Sequence, residues 1–356
     1  MNMNEILSKF HLETEIAPYG NGHINDTYCA ESNRYILQRI NTNIFADPKG
    51  LMSNIENVTE FLREKIIKAG GNPERETLKV IKTQNGESFL QTEEGCFRVY
   101  KFITETKTVE NDKSPENVYQ AARGFGRFQN MLSDFPAETL NETIKDFHNT
   151  PKRVEALKQA IREDKAGRAA SVQEEIEFAL KNAEFAGVVI DGINDGSIPV
   201  RVTHNDTKIN NILFDAKTGE AICVIDLDTV MPGSMLCDFG DALRMGASTG
   251  AEDETDLDTV WFDVDMFRIF AEGYLKELGD SITDREVELL AFSAKLMTYE
   301  CGIRFLTDYL NGDTYFKIHR PNHNLDRTRN HFKLVADIAA KEDELNSIIR
   351  EIKNNL

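Results

Sequence analysis

The 356-residue sequence predicts an α+β fold in two lobes, a small strand-rich lobe over residues 1–103 and a larger, mostly helical lobe over 104–356. Three observations predict it. Short β-prone runs crowd the first hundred residues, helical spacing dominates from Glu116 onward, and one β-rich island interrupts the helices between 199 and 226. In the first lobe, Asn25–Glu31 and Arg34–Arg39 read as strands around a Ser32-Asn33 turn. After Asp47-Pro48, Leu51, Ile55, Val58, Leu62 and Ile66 recur at steps of three or four, and Gly70-Gly71 ends that helix. Thr77–Lys82 and Ser88–Gln91 read as a hairpin through Asn85-Gly86, and Cys96–Ile103 as a further strand after Glu94-Gly95. In the second lobe, helices are expected over Glu116–Leu132, Pro151–Asp164 and Val172–Glu184. Strands are expected over Pro199–Thr203, Asn211–Asp215 and Glu220–Asp226. Thr283 and Glu286 form a capping-box pattern opening a helix striped by Leu289, Phe292, Leu296, Tyr299, Ile303, Leu306 and Leu310, which Asn311-Gly312 closes.

Composition narrows the function classes. With 41 Lys+Arg against 60 Asp+Glu the formal charge is −19, which argues against nucleic acid as a partner, because phosphate contacts need clustered cations. No 18-residue apolar run and no apolar leader is present, so neither a membrane span nor a signal peptide is read. Five scattered cysteines (Cys29, Cys96, Cys223, Cys237 and Cys301) with no C-x-x-C fit reduced thiols, and the expected setting is cytoplasmic. A monomer or weak homo-oligomer is expected.

The chemistry is concentrated in Thr203-His204-Asn205-Asp206-Thr207-Lys208-Ile209-Asn210-Asn211, a polar loop between two apolar strands. Against the kinase pattern H-R-D-L-x-x-x-N, His204, Asp206 and Asn211 fall in register, and Asp226 follows the next apolar strand. Phosphoryl transfer needs such a set. A carboxylate beside the attacking hydroxyl (Asp206), an Asn and an Asp for Mg²⁺ (Asn211 and Asp226), and a cation for the transferring group (Lys208) complete it. General-base help supplies about 10²- to 10⁴-fold. Orientation supplies up to roughly 7–11 kcal/mol, so Mg²⁺ and the phosphate-binding groups dominate. His204 reads as structural. In the first lobe, Gly20-Asn21-Gly22-His23 precedes a strand and allows close backbone approach to phosphates. Where kinases carry a strand Lys, this chain has Gln38 and Arg39, which alternate to opposite faces. Apolar register gives Gln38 the Lys place, and the helix carboxylate, Glu56 or Glu60, then loses its usual partner.

Asp226-Leu227-Asp228-Thr229-Val230 also fits the D-x-D-x-[T/V] pattern of aspartyl phosphatases. That motif usually opens a domain of alternating strands and helices, whereas here it lies at 226 with a helical chain downstream.

The Gly20–Tyr28 loop, Tyr35–Asn41, His204–Phe214, Ile225–Gly233, Asp238–Arg244 and Gly302–Leu310 together resemble the aminoglycoside-phosphotransferase/choline-kinase branch of the protein-kinase-like fold. The resemblance spans nearly the whole chain, and Asp228–Gly233 and Arg304–Leu310 point to its sugar kinases. It implies ATP-dependent phosphorylation of the anomeric hydroxyl of N-acetylglucosamine and N-acetylgalactosamine, with Mg²⁺. The nucleotide is expected under Gly20–Gly22 with Gln38, its adenine at a hinge near Tyr100–Thr104. The acceptor is expected against the large lobe, with Asp206, Asp228 and Arg304 suited to hydroxyls. His23 and Tyr315 are further candidates, although core packing is the default role of Tyr315. Asp238 and Asp241 are expected to brace the metal-binding loop. The rival readings are a kinase of another small alcohol (aminoglycoside, choline or homoserine), an aspartyl phosphatase, and a nucleotide-binding pseudokinase lacking the strand Lys.

Overall fold

Local signals set most element ends. A computed structural model describes residues 3–12, 16–20, 24–30, 34–110 and 112–356. The early elements are α1 (Met3–Ser8), β1 (Ile16–Pro18), β2 (Asp26–Ala30), β3 (Tyr35–Ile40), α2 (Pro48–Lys68), α3 (Pro73–Glu76), β4 (Val80–Ile81), β5 (Leu90–Thr92), β6 (Gly95–Lys101) and β7 (Thr106–Lys107). The middle of the chain forms α4 (Pro115–Met131), α5 (Thr150–Glu163), α6 (Gln173–Lys181), α7 (Val188–Asn194), β8 (Arg201–Thr203), β9 (Ile212–Asp215), β10 (Ala221–Val224) and β11 (Met231–Gly233). Then come α8 (Met235–Gly246), α9 (Val264–Leu278), α10 (Asp284–Leu310), α11 (His323–Ala340) and α12 (Glu342–Asn355). By internal contact the chain forms two compact units, residues 1–111, 131–145 and 210–232 in one and 112–130, 146–209 and 233–356 in the other.

The first unit carries an antiparallel sheet in the order β1-β2-β3-β6-β4, with β5 also on β6. Its core face buries Leu37, Phe97 and Val99 against Ile6, Leu7 and Phe10 of α1 and its end. The opposite face holds the row Thr27, Gln38 and Arg98, cross-strand partners on β2, β3 and β6. Helix α2 starts where the Asp47 side chain accepts the Gly50 N–H, with Pro48 at its first turn, and buries the expected Leu51–Ile66 stripe. It stops in a Schellman pattern. Gly71 N–H bonds Ile66 C=O and Gly70, at φ +78°, bonds Ile67 C=O.

Two strand expectations change here. Pro73 and an Asn72 cap open α3, which ends just before the Thr77–Lys82 region, and within that region only Val80–Ile81 pairs as a strand. The Asn85-Gly86 turn forms, but β4 and β5 do not pair with each other: both lie along one edge of β6, opposite Tyr100–Val99 and Phe97–Gly95 respectively. A second small sheet, β10-β9-β7, completes this unit.

The second unit is built around α10, opened by the expected capping box at Thr283 and Glu286. The expected stripe is buried, and so are Leu290, Ala294, Met297, Thr298, Glu300 and Cys301 between its positions, so α10 is enclosed on all sides. Gly240 of α8 allows this, since a Cβ there would stand 2.3 Å from the Ser293 carbonyl oxygen. The helix expected over Val172–Glu184 ends as α6 at Lys181 and continues as a 3-10 turn over Asn182–Phe185. All five cysteines are buried thiols. No described helix is long and apolar enough to cross a membrane.

Candidate active site

In the second unit, β8 delivers the chain into His204-Asn205-Asp206. Asn205 takes a left-handed conformation (φ +64°), which asparagine tolerates better than most residues. The first turns of α8 hold this turn in place. Both oxygens of buried Asp238 accept backbone N–H groups, His204 at 2.8 Å and Asn205 at 2.7 Å, and the Gln129 amide adds a third bond at 2.7 Å. Asp241 accepts the Thr207 N–H at 3.1 Å, and the Thr207 hydroxyl donates to the Asp238 carbonyl at 2.6 Å. The two carboxylates thus brace residues 204–207. His204 is fully buried, edge-on to Phe125 and Phe128, and its Nδ1 accepts the Asp206 N–H at 3.3 Å.

The Asp206 carboxylate is 23% exposed and meets the Lys208 ammonium at 2.7 Å. Behind the loop, the Asn205 carbonyl contacts His148 Nε2 at 3.2 Å, and His148 Nδ1 meets Glu300 at 2.7 Å. Phe147, next to His148, packs its ring 5.5 Å from the Arg304 guanidinium, which has the Phe316 ring 5.6 Å away. Asp308 organises the following loop by accepting N–H groups from Thr314, Tyr315 and Phe316. Tyr315 is consequently 66% exposed, and its default expectation of core packing is corrected.

In the first unit, Asn211 and Asp226 come to the same end of the β9–β10 pair. Ile212 lies opposite Val224, and the Ile225 N–H donates to the Asn211 carbonyl at 2.9 Å. Asp226 itself is left-handed at φ +58°.

The sheet row beside them holds a residue that motif reading missed. Arg98 is 1% exposed and pairs with Asp228, 4% exposed, at 2.5 Å. Its Nε and Nη2 also donate to Gln38 Oε1 at 3.0 and 2.8 Å, and Gln38 in turn donates to Thr27. Asn25 donates to the second Asp228 oxygen at 2.7 Å. Burial opposes the Arg98 charge, but Asp228, with Asp226 beyond it, keeps the guanidinium firmly protonated. Gln38 therefore shares a face with a buried cation, while Arg39 points the other way to a solvent-exposed pair with Asp26. The signal was present: a lone arginine centred in Cys96-Phe97-Arg98-Val99-Tyr100 needs a buried partner. Of the helix carboxylates, Glu56 pairs with Lys82 and Glu60 is exposed.

Tyr100 is buried with its ring 5.1 Å from the Arg98 guanidinium, and its hydroxyl has no hydrogen-bond partner among the described residues. Such an orphaned group beside two carboxylates is what a site awaiting a polar ligand presents. An amide oxygen and a carboxylate at one hairpin end are hard donors suited to Mg²⁺. Gly20 is left-handed at φ +74°, while Asn21, Gly22 and His23 lie outside the described residues. Another group of ligand-type residues, Glu252, Cys301 and His331, does not suit a cation. The Arg244 guanidinium already bonds Glu252 at 2.9 Å and His331 at 3.2 Å.

Residues 15–268 match the phosphotransferase enzyme family, APH. The chain superposes on the aminoglycoside phosphotransferase of Alicyclobacillus acidocaldarius with a TM-score of 0.62 at 12% identity, covering 100% of this chain and 97% of that one. Spectinomycin phosphotransferase, solved with ADP and spectinomycin, gives 0.58 at 14% identity over 95% and 96% of the two chains. An ethanolamine kinase of Plasmodium vivax gives 0.55 at 15%, over 90% and 82%. At these identities the likeness establishes the kinase-like fold, with its antiparallel-sheet N-lobe and helical C-lobe. The family match over most of the length establishes the rest: this chain belongs to the APH phosphotransferase enzyme family.

Proposed function

We propose that this phosphotransferase is an N-acetylhexosamine 1-kinase that uses ATP with Mg²⁺. The anomeric oxygen of N-acetylglucosamine or N-acetylgalactosamine forms a bond to the γ-phosphorus, the bond to the β-phosphate oxygen breaks, and ADP leaves. Asp206 receives the hydroxyl proton. An ordinary carboxylate suffices, because a loose transition state does not require prior deprotonation. Lys208, 2.7 Å from Asp206, offsets charge on the transferring group. Asn211 and Asp226 would hold Mg²⁺, which neutralises triphosphate charge that a protein of net charge −19 otherwise repels. Gly20, Asn21, Gly22 and Gln38 attend the phosphates, and Tyr100 the base end of the nucleotide. Asp228, Arg304, Tyr315 and His23 attend the sugar. Five buried thiols fit a cytoplasmic enzyme.

The observation that carries the choice of acceptor is Arg304, with rings of Phe147 and Phe316 beside it and Tyr315 exposed in the adjoining loop. Guanidinium donors and aromatic faces suit a neutral, hydroxyl-rich ring. A cationic acceptor such as choline would be repelled by Arg304 and by Arg153, whose pKa is lowered by burial and by the charge of Arg304. A second reading, a kinase of an amino alcohol or aminoglycoside, draws on the spectinomycin phosphotransferase and ethanolamine kinase relatives and on the acidic chain as a whole.

Phosphorus NMR of reactions containing Mg-ATP and N-acetylglucosamine, N-acetylgalactosamine, choline or spectinomycin separates them. A sugar 1-phosphate from either hexosamine is the expected product. Phosphocholine or phosphospectinomycin without sugar phosphate would replace the reading by the second one. ATP binding with no product from any acceptor would leave a pseudokinase.

A further inference from the structure

The His148 side chain is 10% exposed, lies outside the catalytic motif, and contacts two groups that can only accept. Its Nδ1 is 2.7 Å from Glu300 Oε1 and its Nε2 is 3.2 Å from the Asn205 carbonyl oxygen. An imidazole satisfies a carboxylate and a carbonyl together only when both ring nitrogens carry protons. The peptide unit that His148 grips is the one joining Asn205 to Asp206. At its other end, the Asp206 N–H donates to Nδ1 of His204. That peptide is thus held by one histidine that must donate and another that must accept. It follows Asn205 at φ +64°, so the left-handed turn and the two histidines together fix its orientation.

We propose that His148 acts as a doubly protonated imidazolium that positions Asp206 by clamping the Asn205–Asp206 peptide, with Glu300 as its fixed counter-charge, so that turnover falls at alkaline pH when the clamp loses its proton. The assignment rests on the reading of Asp206 as the carboxylate that receives the acceptor proton. Glu300 is itself oriented, since the Thr150 hydroxyl donates to its other oxygen at 2.6 Å. The charged groups around His148 are Glu300 and Arg304 from α10 and Asp241 from α8, while Arg153 of α5 acts on Glu300. Burial alone would push the His148 pKa down, and Arg304 adds to that. The charge and hydrogen bond of Glu300, with Asp241 behind it, outweigh both and raise it above the ordinary histidine value. The sign follows: the bound proton is present below the unfolded pKa and is lost as pH rises through the raised folded one.

Two readouts on the intact protein test this. Nitrogen and carbon NMR of labelled histidine, with the His148 signal assigned by its disappearance in His148→Gln, reports its protonation without reference to turnover. Double protonation at neutral pH is expected in the native protein, with the titration moved to lower pH in Glu300→Gln. In parallel, kcat is followed against pH with the acceptor that gives product. The native enzyme should show an alkaline fall that moves to lower pH in Glu300→Gln. His148→Gln should lose about 10- to 100-fold in kcat through misplacement of Asp206, with the KM for ATP nearly unchanged. If His148→Gln does not fold, Glu300→Gln, with the carboxyl exchanged for an amide of the same shape, carries the test alone. A neutral His148 ring at neutral pH overturns the proposal. So does an alkaline limb that stays in place in Glu300→Gln, which would leave His148 a packing residue. Absence of product from every acceptor would instead sink the kinase reading, and the positioning role with it, whatever the NMR shows.

Discussion

Two regions of this molecule use buried carboxylates in opposite ways. Around residues 204–207, Asp238 and Asp241 accept backbone N–H groups, Asp241 alongside its ion pair with Arg244, so their charge holds a loop in one conformation. Beside the sheet of the first unit, Asp228 instead meets side chains, the Arg98 cation and the Asn25 amide, rather than a run of main chain. Each region is therefore vulnerable in its own way. A carboxylate bonded to amides keeps most of its surroundings when a neighbouring side chain changes. A buried ion pair leaves a bare charge when either member is lost, at about 3–5 kcal/mol.

The largest effect is expected at the residue that the braced loop presents. Asp206→Asn should lower kcat by at least about 10²- to 10⁴-fold, while ATP binding measured by calorimetry survives. Near-normal turnover would show that the brace serves no catalytic carboxylate.

Next in size, Arg98→Met should cost about 3–5 kcal/mol in urea unfolding, and adding Asp228→Asn should restore much of it. Equal losses in the single and double variants would break the contrast, because Arg98 would then matter for packing and not for charge. A smaller effect is expected at the acceptor side. Arg304→Ala should raise the sugar KM about 10- to 100-fold through loss of charged hydrogen bonds and leave that for ATP within a few-fold. Parallel rises would remove Arg304 from the acceptor site.

The smallest concerns His331, which shares the buried Arg244 cluster. Burial and the Arg244 charge lower it to about 4. The unfolded chain then binds a proton that the folded one refuses, so stability should fall as pH drops from about 6.5 towards 4, by about 1–3 kcal/mol. His331→Gln should flatten that slope in denaturant titrations across the window.

Much of this architecture was readable along the chain. The Asp47 cap, the Leu51–Ile66 stripe and the Gly70 terminus of α2, and the Thr283–Glu286 capping box of α10, involve partners within a few residues. The polar loop between β8 and β9 was equally plain, since its side chains follow one another at short spacing. Arg98 was not, because its partner Asp228 lies 130 residues away. Nor was His148, whose neighbours Asn205 and Glu300 come from distant segments and whose own surroundings, Phe147-His148-Asn149, carry no pattern. The Asn85-Gly86 turn is legible in the sequence, but the strand that its flanks pair with is not. A turn dictates local direction, but which strand it feeds depends on whether β6 is free to accept both flanking segments.

Periodicity, caps and turns are settled by interactions over a few residues, and these laid down the order of helices and strands and the loop bearing Asp206. Burial of charge is decided by whatever the rest of the chain brings alongside, and so the partners of Arg98, His148 and Glu300 emerged only on folding. Coulomb forces in a dry interior act between groups that space makes neighbours, however far apart they stand in the chain.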